Sequence, residues 1–88
     1  MREVVIVSAV RTPIGALGGT LKDVLPEVLL KTAIEGAIDK IGLDKSLIDE
    51  VIAGQTKQTT DAPNIARVAS LMAKIPERVP AYTVHRQC

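Results

Sequence analysis

The chain holds one cysteine, Cys88, and it closes the run Val79-Pro80-Ala81-Tyr82-Thr83-Val84-His85-Arg86-Gln87-Cys88. A proline at the entry, a β-branched and aromatic run, and a polar His-Arg-Gln step predict a strand that delivers a thiol at its carboxyl edge. That edge is where α/β proteins place ligand sites. A helix following the thiol would offer orphan N–H groups and a favourable dipole, which stabilise the thiolate and make a nucleophile. The other reading is an inert core thiol, since free cysteines pack as small apolar residues. The residues around Cys88 leave both open.

The remaining chemistry-bearing residues narrow the choice of reaction. His85 stands three residues before Cys88, but on a strand that continued through Gln87 residues three apart point to opposite faces. The expectation is therefore a structural histidine bonded to a neighbouring backbone group, rather than the base of a Cys-His pair. One Cys and one His fall short of a tetrahedral zinc site, so no metal is expected, and no internal disulfide can form. A redox sensor would need a resolving cysteine, and the chain has none. Gly15, Gly18 and Gly19 match neither the dinucleotide fingerprint nor the P-loop, which predicts a structural turn in place of a phosphate cradle. Arg11, just before them, is expected to tie its loop to a carboxylate.

The elements that position these residues follow from patterning. Val4–Val10 is nearly continuous aliphatic, as in a strand buried on both faces and central in a sheet. Pro13 breaks it. Thr20 to Asp23 has the outline of a capping box, Pro26 suits a first helical turn, and Leu30, Ala33, Ile34, Ala37, Ile38 and Ile41 form an apolar stripe that Gly42 ends. Glu27 and Lys31 are spaced for an ion pair. Leu47–Glu50 reads as a turn of helix, and Val51–Gly54 as a second short strand. Gln55–Asp61 is a polar loop or exposed edge. Asp61 is the expected cap of a second helix with Pro63 in its first turn, an apolar stripe at Ile65, Val68, Ala69 and Met72, and a stop at Pro76. The order β-α-β-α-β predicts an α/β layer with parallel strands.

Composition agrees. The 88 residues are 47% hydrophobic with Tyr82 the single aromatic, so the core is aliphatic, as suits a helix-covered parallel sheet. Eleven basic and ten acidic residues leave a formal charge of +1 with the signs interspersed, which provides no footprint for nucleic acid or an anionic membrane surface. The opening apolar run is too brief for a signal h-region, no run approaches transmembrane length, and the cytoplasm is the expected compartment. Two helices cannot shield both faces and edges of so apolar a sheet. Residues 1–88 are thus expected to be an incomplete domain whose remainder lies in further chain or in a complementing chain.

Four blocks carry a family resemblance: Val7-Ser8-Ala9-Val10-Arg11-Thr12-Pro13-Ile14-Gly15 with Gly19 and Leu21; Val51-Ile52-Ala53-Gly54 with Gln58; Asn64-x-Ala66-Arg67 with Leu71; and Val79-Pro80-x-x-Thr83-Val84-x-x-x-Cys88. In this order and spacing the chain resembles the amino-terminal segment of thiolases, the acetyl-CoA acetyltransferase and 3-ketoacyl-CoA thiolase group. The resemblance implies the first part of a layered α-β-α-β-α fold, with Cys88 as the nucleophile that carries the acyl group as a thioester. It implies cleavage of 3-ketoacyl-CoA by CoA, or condensation of two acetyl-CoA to acetoacetyl-CoA, with CoA as co-substrate and no cofactor held by this segment. The activating histidine, the second cysteine and the oxyanion-stabilising groups of the family lie beyond Cys88, so activity requires the remainder. A homodimer or homotetramer is the family's assembly. A non-catalytic thiolase-like assembly module is the alternative. Three departures stand out: His85 where the family usually has Asn, Lys74-Ile75-Pro76 for a common Gly-x-Pro, and Pro63-Asn64 for a common Gln-Asn.

Overall fold

The computed structural model describes residues 2–87, so Cys88 lies outside the described residues. Helix α1 spans Pro26–Ile41, a single 3-10 turn covers Lys45–Leu47, strand β1 is Val51–Gly54, helix α2 is Ile65–Met72, and strand β2 is Ala81–Val84. The strands pair in parallel with Val51 opposite Ala81 and Gly54 opposite Val84. The ladder continues one bond at each end, from Val51 N–H to Pro80 O and from Gln55 N–H to Val84 O. With α2 as the crossover, β1-α2-β2 is one βαβ unit, onto which α1 packs chiefly through α2.

The bounds of α1 are written in local chemistry. Proline forbids helix at the residue before it, and Leu25 is extended (φ −65°, ψ 142°). Pro26 then occupies the first turn, where a missing N–H costs nothing. The expected capping box at Thr20 does not form. Residues 16–24 are folded into turns, closed by Gly19 N–H to Ala16 O, Lys22 N–H to Gly19 O and Val24 N–H to Leu21 O, and α1 has no side-chain N-cap. At the other end Gly42 takes the left-handed conformation, and Leu43 N–H reaches back to Ile38 O. Leu43 also packs on the cluster containing Ile38, as this kind of helix stop favours. The predicted Glu27–Lys31 pair is replaced by Lys31–Glu35 at 3.2 Å, while Glu27 is buried in the first turn.

The 3-10 turn comes slightly earlier than the helical turn expected at Leu47–Glu50. Asp44 caps it, accepting from Ser46 N–H at 2.9 Å, and that bond holds the Asp44 carboxyl below its usual range.

Two apolar clusters share Val51. One gathers Ile38, Ala73, Ile75 and Val79, with Ile34, Leu43 and Ile48 against it. The other gathers Ala53, Ile65 and Ala66, with Leu30 and Ala81. Ala62, Ala66, Ala69 and Ala73 are essentially inaccessible to solvent. Of these Ala66, Ala69 and the C-cap Ala73, at spacings of three and four residues, give α2 a thin flank along which its neighbours approach closely.

The strand expected at Val4–Val10 is absent. Val4 is 97% exposed and Ile6 89%, and the segment joins no ladder, because the sheet among the described residues has two strands, β1 and β2. It lies instead along the second half of α1, where Ser8 Oγ donates to Ala37 O at 2.7 Å and Lys40 Nζ donates to Ala9 O at 3.3 Å. A continuous aliphatic run specifies burial on two faces, and among the described residues only α1 meets it, on one side.

Helix α2 is capped at Ala73, and Lys74, the residue after the cap, takes φ 61°. Its N–H bonds Leu71 O, and the N–H of Ile75 bonds Ser70 O, the pattern usually closed by glycine. A side chain in that region costs about 1–2 kcal/mol, partly offset by the greater unfolded-state entropy of glycine. Lys74→Gly is therefore expected to stabilise the protein by about 0.5–1 kcal/mol, read as a raised denaturation midpoint. The departure at Lys74 from the common Gly-x-Pro thus carries a backbone cost.

Candidate functional site

Strand β2 is the element that leads to Cys88, and the site is best built from what holds that strand. Asn64, not Asp61, caps α2: its Oδ1 accepts from Arg67 N–H at 3.3 Å. The same oxygen accepts from the Thr83 hydroxyl at 2.8 Å, and the Asn64 amide Nδ2 donates to Ala81 O at 3.2 Å. Thr83 Oγ1 in turn accepts from Ala66 N–H at 3.2 Å. Two of the orphan N–H groups of the first turn of α2 are therefore satisfied jointly, one by a local side chain and one by a residue of the distant strand. Both Asp61 and Asn64 can cap by type. The bonds to β2 decide for Asn64, which leaves Pro63 ahead of the cap.

Arg67 extends the same clamp. Its Nη1 donates to Val79 O at 2.9 Å and its Nη2 to Glu77 O at 3.0 Å, gripping the link that enters β2. A lysine places one point charge where the guanidinium places a fork. Arg67→Lys is expected to cost about 1–2 kcal/mol of stability, seen as a lower denaturant midpoint with unchanged slope.

His85 follows β2 directly, is exposed, and bonds through Nε2 to the carbonyl oxygen of Thr56 in the loop after β1. A carbonyl only accepts, so Nε2 carries the proton. The sequence expectation of a structural histidine bonded to backbone agrees with this contact. Because β2 ends at Val84, strand alternation does not extend from His85 toward Cys88.

The other candidates do not join this site. Arg11 is exposed and donates to the carbonyl of its neighbour Thr12 at 3.2 Å, and among the described residues it makes no carboxylate tie. In the glycine cluster, the Gly19 N–H is spent on Ala16 O, and a Cβ on Gly19 would come within 2.9 Å of that same oxygen. Gly18 sits at φ 70°. The segment is a tight turn, as expected. At the carboxyl end of β1, Gly54 and Gln55 border a groove of about 410 Å³ shared with Leu29, Leu30 and Arg11. The buried Gln55 Oε1 has no hydrogen-bond partner among the described residues.

Sequence reasoning missed the Asn64–Thr83 pair. The two residues are 19 positions apart, and no local pattern links a helix cap to a strand threonine. The signal that could have found it lies in the family resemblance, since Asn64, Ala66, Arg67 and Thr83 belong to two of its four blocks. The structure brings these blocks together in one network.

Comparison with known proteins places this geometry. The family model of the thiolase N-terminal domain matches residues 4–88. A probable acetyl-CoA acyltransferase of Staphylococcus aureus (strain NCTC 8325) is 47% identical over all 88 residues, and its counterpart in the bovine strain RF122 is 44% identical over the same span. The chain spans 22% of the length of these curated relatives. Among solved structures, the crystal structure of the Bacillus anthracis acetyl-CoA acetyltransferase superposes with a TM-score of 0.84 and 43% identity, over 90% of this chain and 20% of that one.

Proposed function

This chain belongs to the thiolase family, and from that premise we propose that Cys88 is the nucleophile of a thioester-forming acyltransferase, acting in a polypeptide or assembly that carries the remaining catalytic groups. In the cleavage direction the Cys88 thiolate attacks the 3-keto carbon of a 3-ketoacyl-CoA. The bond between the α-carbon and that carbon breaks, its electron pair leaves on the α-carbon, and protonation there releases acetyl-CoA. The thiolate of a second CoA then takes the shortened acyl group from Cys88 and regenerates the Cys88 thiolate. Run in reverse from two acetyl-CoA, the same steps form acetoacetyl-CoA and free CoA. CoA is thus a substrate of cleavage and a product of condensation.

One observation carries this reading. Residues from two separate family blocks, Asn64, Ala66 and Arg67 on one side and Thr83 on the other, converge to hold β2 and its entry, and the sequence after that strand runs through His85, Arg86 and Gln87 to the cysteine. A scaffold concentrated on one strand fits a residue that must be aimed. The test is to incubate the full-length protein with acetyl-CoA, quench in acid and map adducts by mass spectrometry. An acetyl group on the peptide containing Cys88 is expected. Active protein that transfers acyl groups without ever carrying one at Cys88 would overturn the assignment, and a protein with neither activity nor adduct would support the assembly-module alternative.

A further inference from the structure

We propose that Thr83 and His85 are positioning residues that set the direction in which the chain leaves β2 toward Cys88, an inference that rests on the reading of Cys88 as nucleophile. Backbone pairing cannot set that direction. The ladder ends at Gly54 and Val84, with Gln55 N–H to Val84 O as its last bond, and residues 85–87 are exposed. Beyond that point the fastening among the described residues is the bond from His85 Nε2 to Thr56 O.

Just before the ladder ends, Thr83 is bonded twice through its hydroxyl. Its hydroxyl donates to Asn64 Oδ1 and accepts from Ala66 N–H, at 2.8 and 3.2 Å. A hydroxyl that must satisfy both partners is held in one rotamer, and β2 cannot tilt away from α2 without uncapping that helix. Thr83 and His85 thus tie the same short stretch to two different bodies, the start of α2 and the loop after β1. Neither side chain is assigned a contact with the reacting atoms. Their effect is on aim, and aim matters steeply, because a nucleophile displaced by about 1 Å loses on the order of 10²-fold in rate.

The experiment uses the full-length protein and acetyl-CoA, and follows single-turnover acetylation of Cys88, expressed per folded molecule. Thr83→Val keeps the branched shape and removes the hydroxyl, Thr83→Ser restores the hydroxyl, and His85→Ala releases the second tie. Thr83→Val and His85→Ala are each expected to slow acetylation by about tenfold or more while KM stays within about threefold, and Thr83→Ser to remain within about threefold of the parent. If Thr83→Val lowers the folded fraction, His85→Ala decides, since the exposed ring belongs to neither apolar cluster. Parent-like rates in both variants, or a serine variant as slow as the valine one, overturn the positioning role while leaving the nucleophile intact. A parent protein that is never acetylated at Cys88 removes the nucleophile reading and this inference with it.

Discussion

Cys88→Ala in the full-length protein is expected to reduce thiolytic turnover of a 3-ketoacyl-CoA by at least about 10³-fold, with no acyl-enzyme detectable, because removal of a covalent nucleophile leaves only binding and electrostatic contributions to rate. The substitution exchanges a small side chain for a slightly smaller one, so stability should change by less than about 1 kcal/mol. This contrast separates the two roles open to a lone cysteine. A core thiol would show the reverse: a loss of stability with turnover intact. Steady-state kinetics and a thermal melt on the same preparation decide between them. Cys88→Ser should behave like the alanine variant, because a hydroxyl near its ordinary pKa is a far poorer nucleophile than a thiolate.

Ala69→Leu is expected to destabilise the protein by about 3 kcal/mol, or to prevent folding outright. Ala69 is fully buried, between Ala66 on the cluster around Ala53 and Ala73 on the cluster around Ile38. Three added carbon atoms on this flank push α2 from its neighbours. The consequence reaches the site, because α2 carries the cap that holds Thr83. Denaturant unfolding should show a lowered midpoint, and acetylation of Cys88 should fall with the folded fraction. The exposed neighbour Leu71 is the control: Leu71→Ala, on a side chain 45% exposed, should cost less than about 1 kcal/mol. Equal costs at the two positions would show that the alanine flank is not a close-packed surface.

Local rules located what local chemistry decides. Pro26 and Gly42 bracket α1 as read, since one excludes helix before it and the other accepts the left-handed stop. Val51–Gly54 is a strand with the bounds that its apolar run indicated. The misses come where several groups compete for one role. Thr20 is drawn into the turns of residues 16–24, and Asp61 and Glu27 each lose a role for which they have the right type and spacing. Asn64 outcompetes Asp61 through Thr83 and Ala81. Lys31 bonds Glu35 while Glu27 goes under cover. The Val4–Val10 run was legible as apolar chain, but a strand exists only where another strand accepts its hydrogen bonds, and that information is not local.

By itself the sequence determined the order of helix, strand, helix and strand from residue 26 onward, the single thiol and its position after the last strand, and membership of the thiolase family through four spaced blocks. Those properties depend on residue type and on separations of a few positions, where sterics and periodicity act. Only the tertiary structure decided how the blocks cooperate: that Asn64 caps α2 with help from Thr83, that Arg67 grips the entry to β2, and that His85 fastens its exit to Thr56. Apart from the local cap bond of Asn64 to Arg67 N–H, each of these bonds joins groups 10 or more residues apart in the chain. Their formation requires the loop entropy between them to be offset by packing that the whole βαβ unit provides.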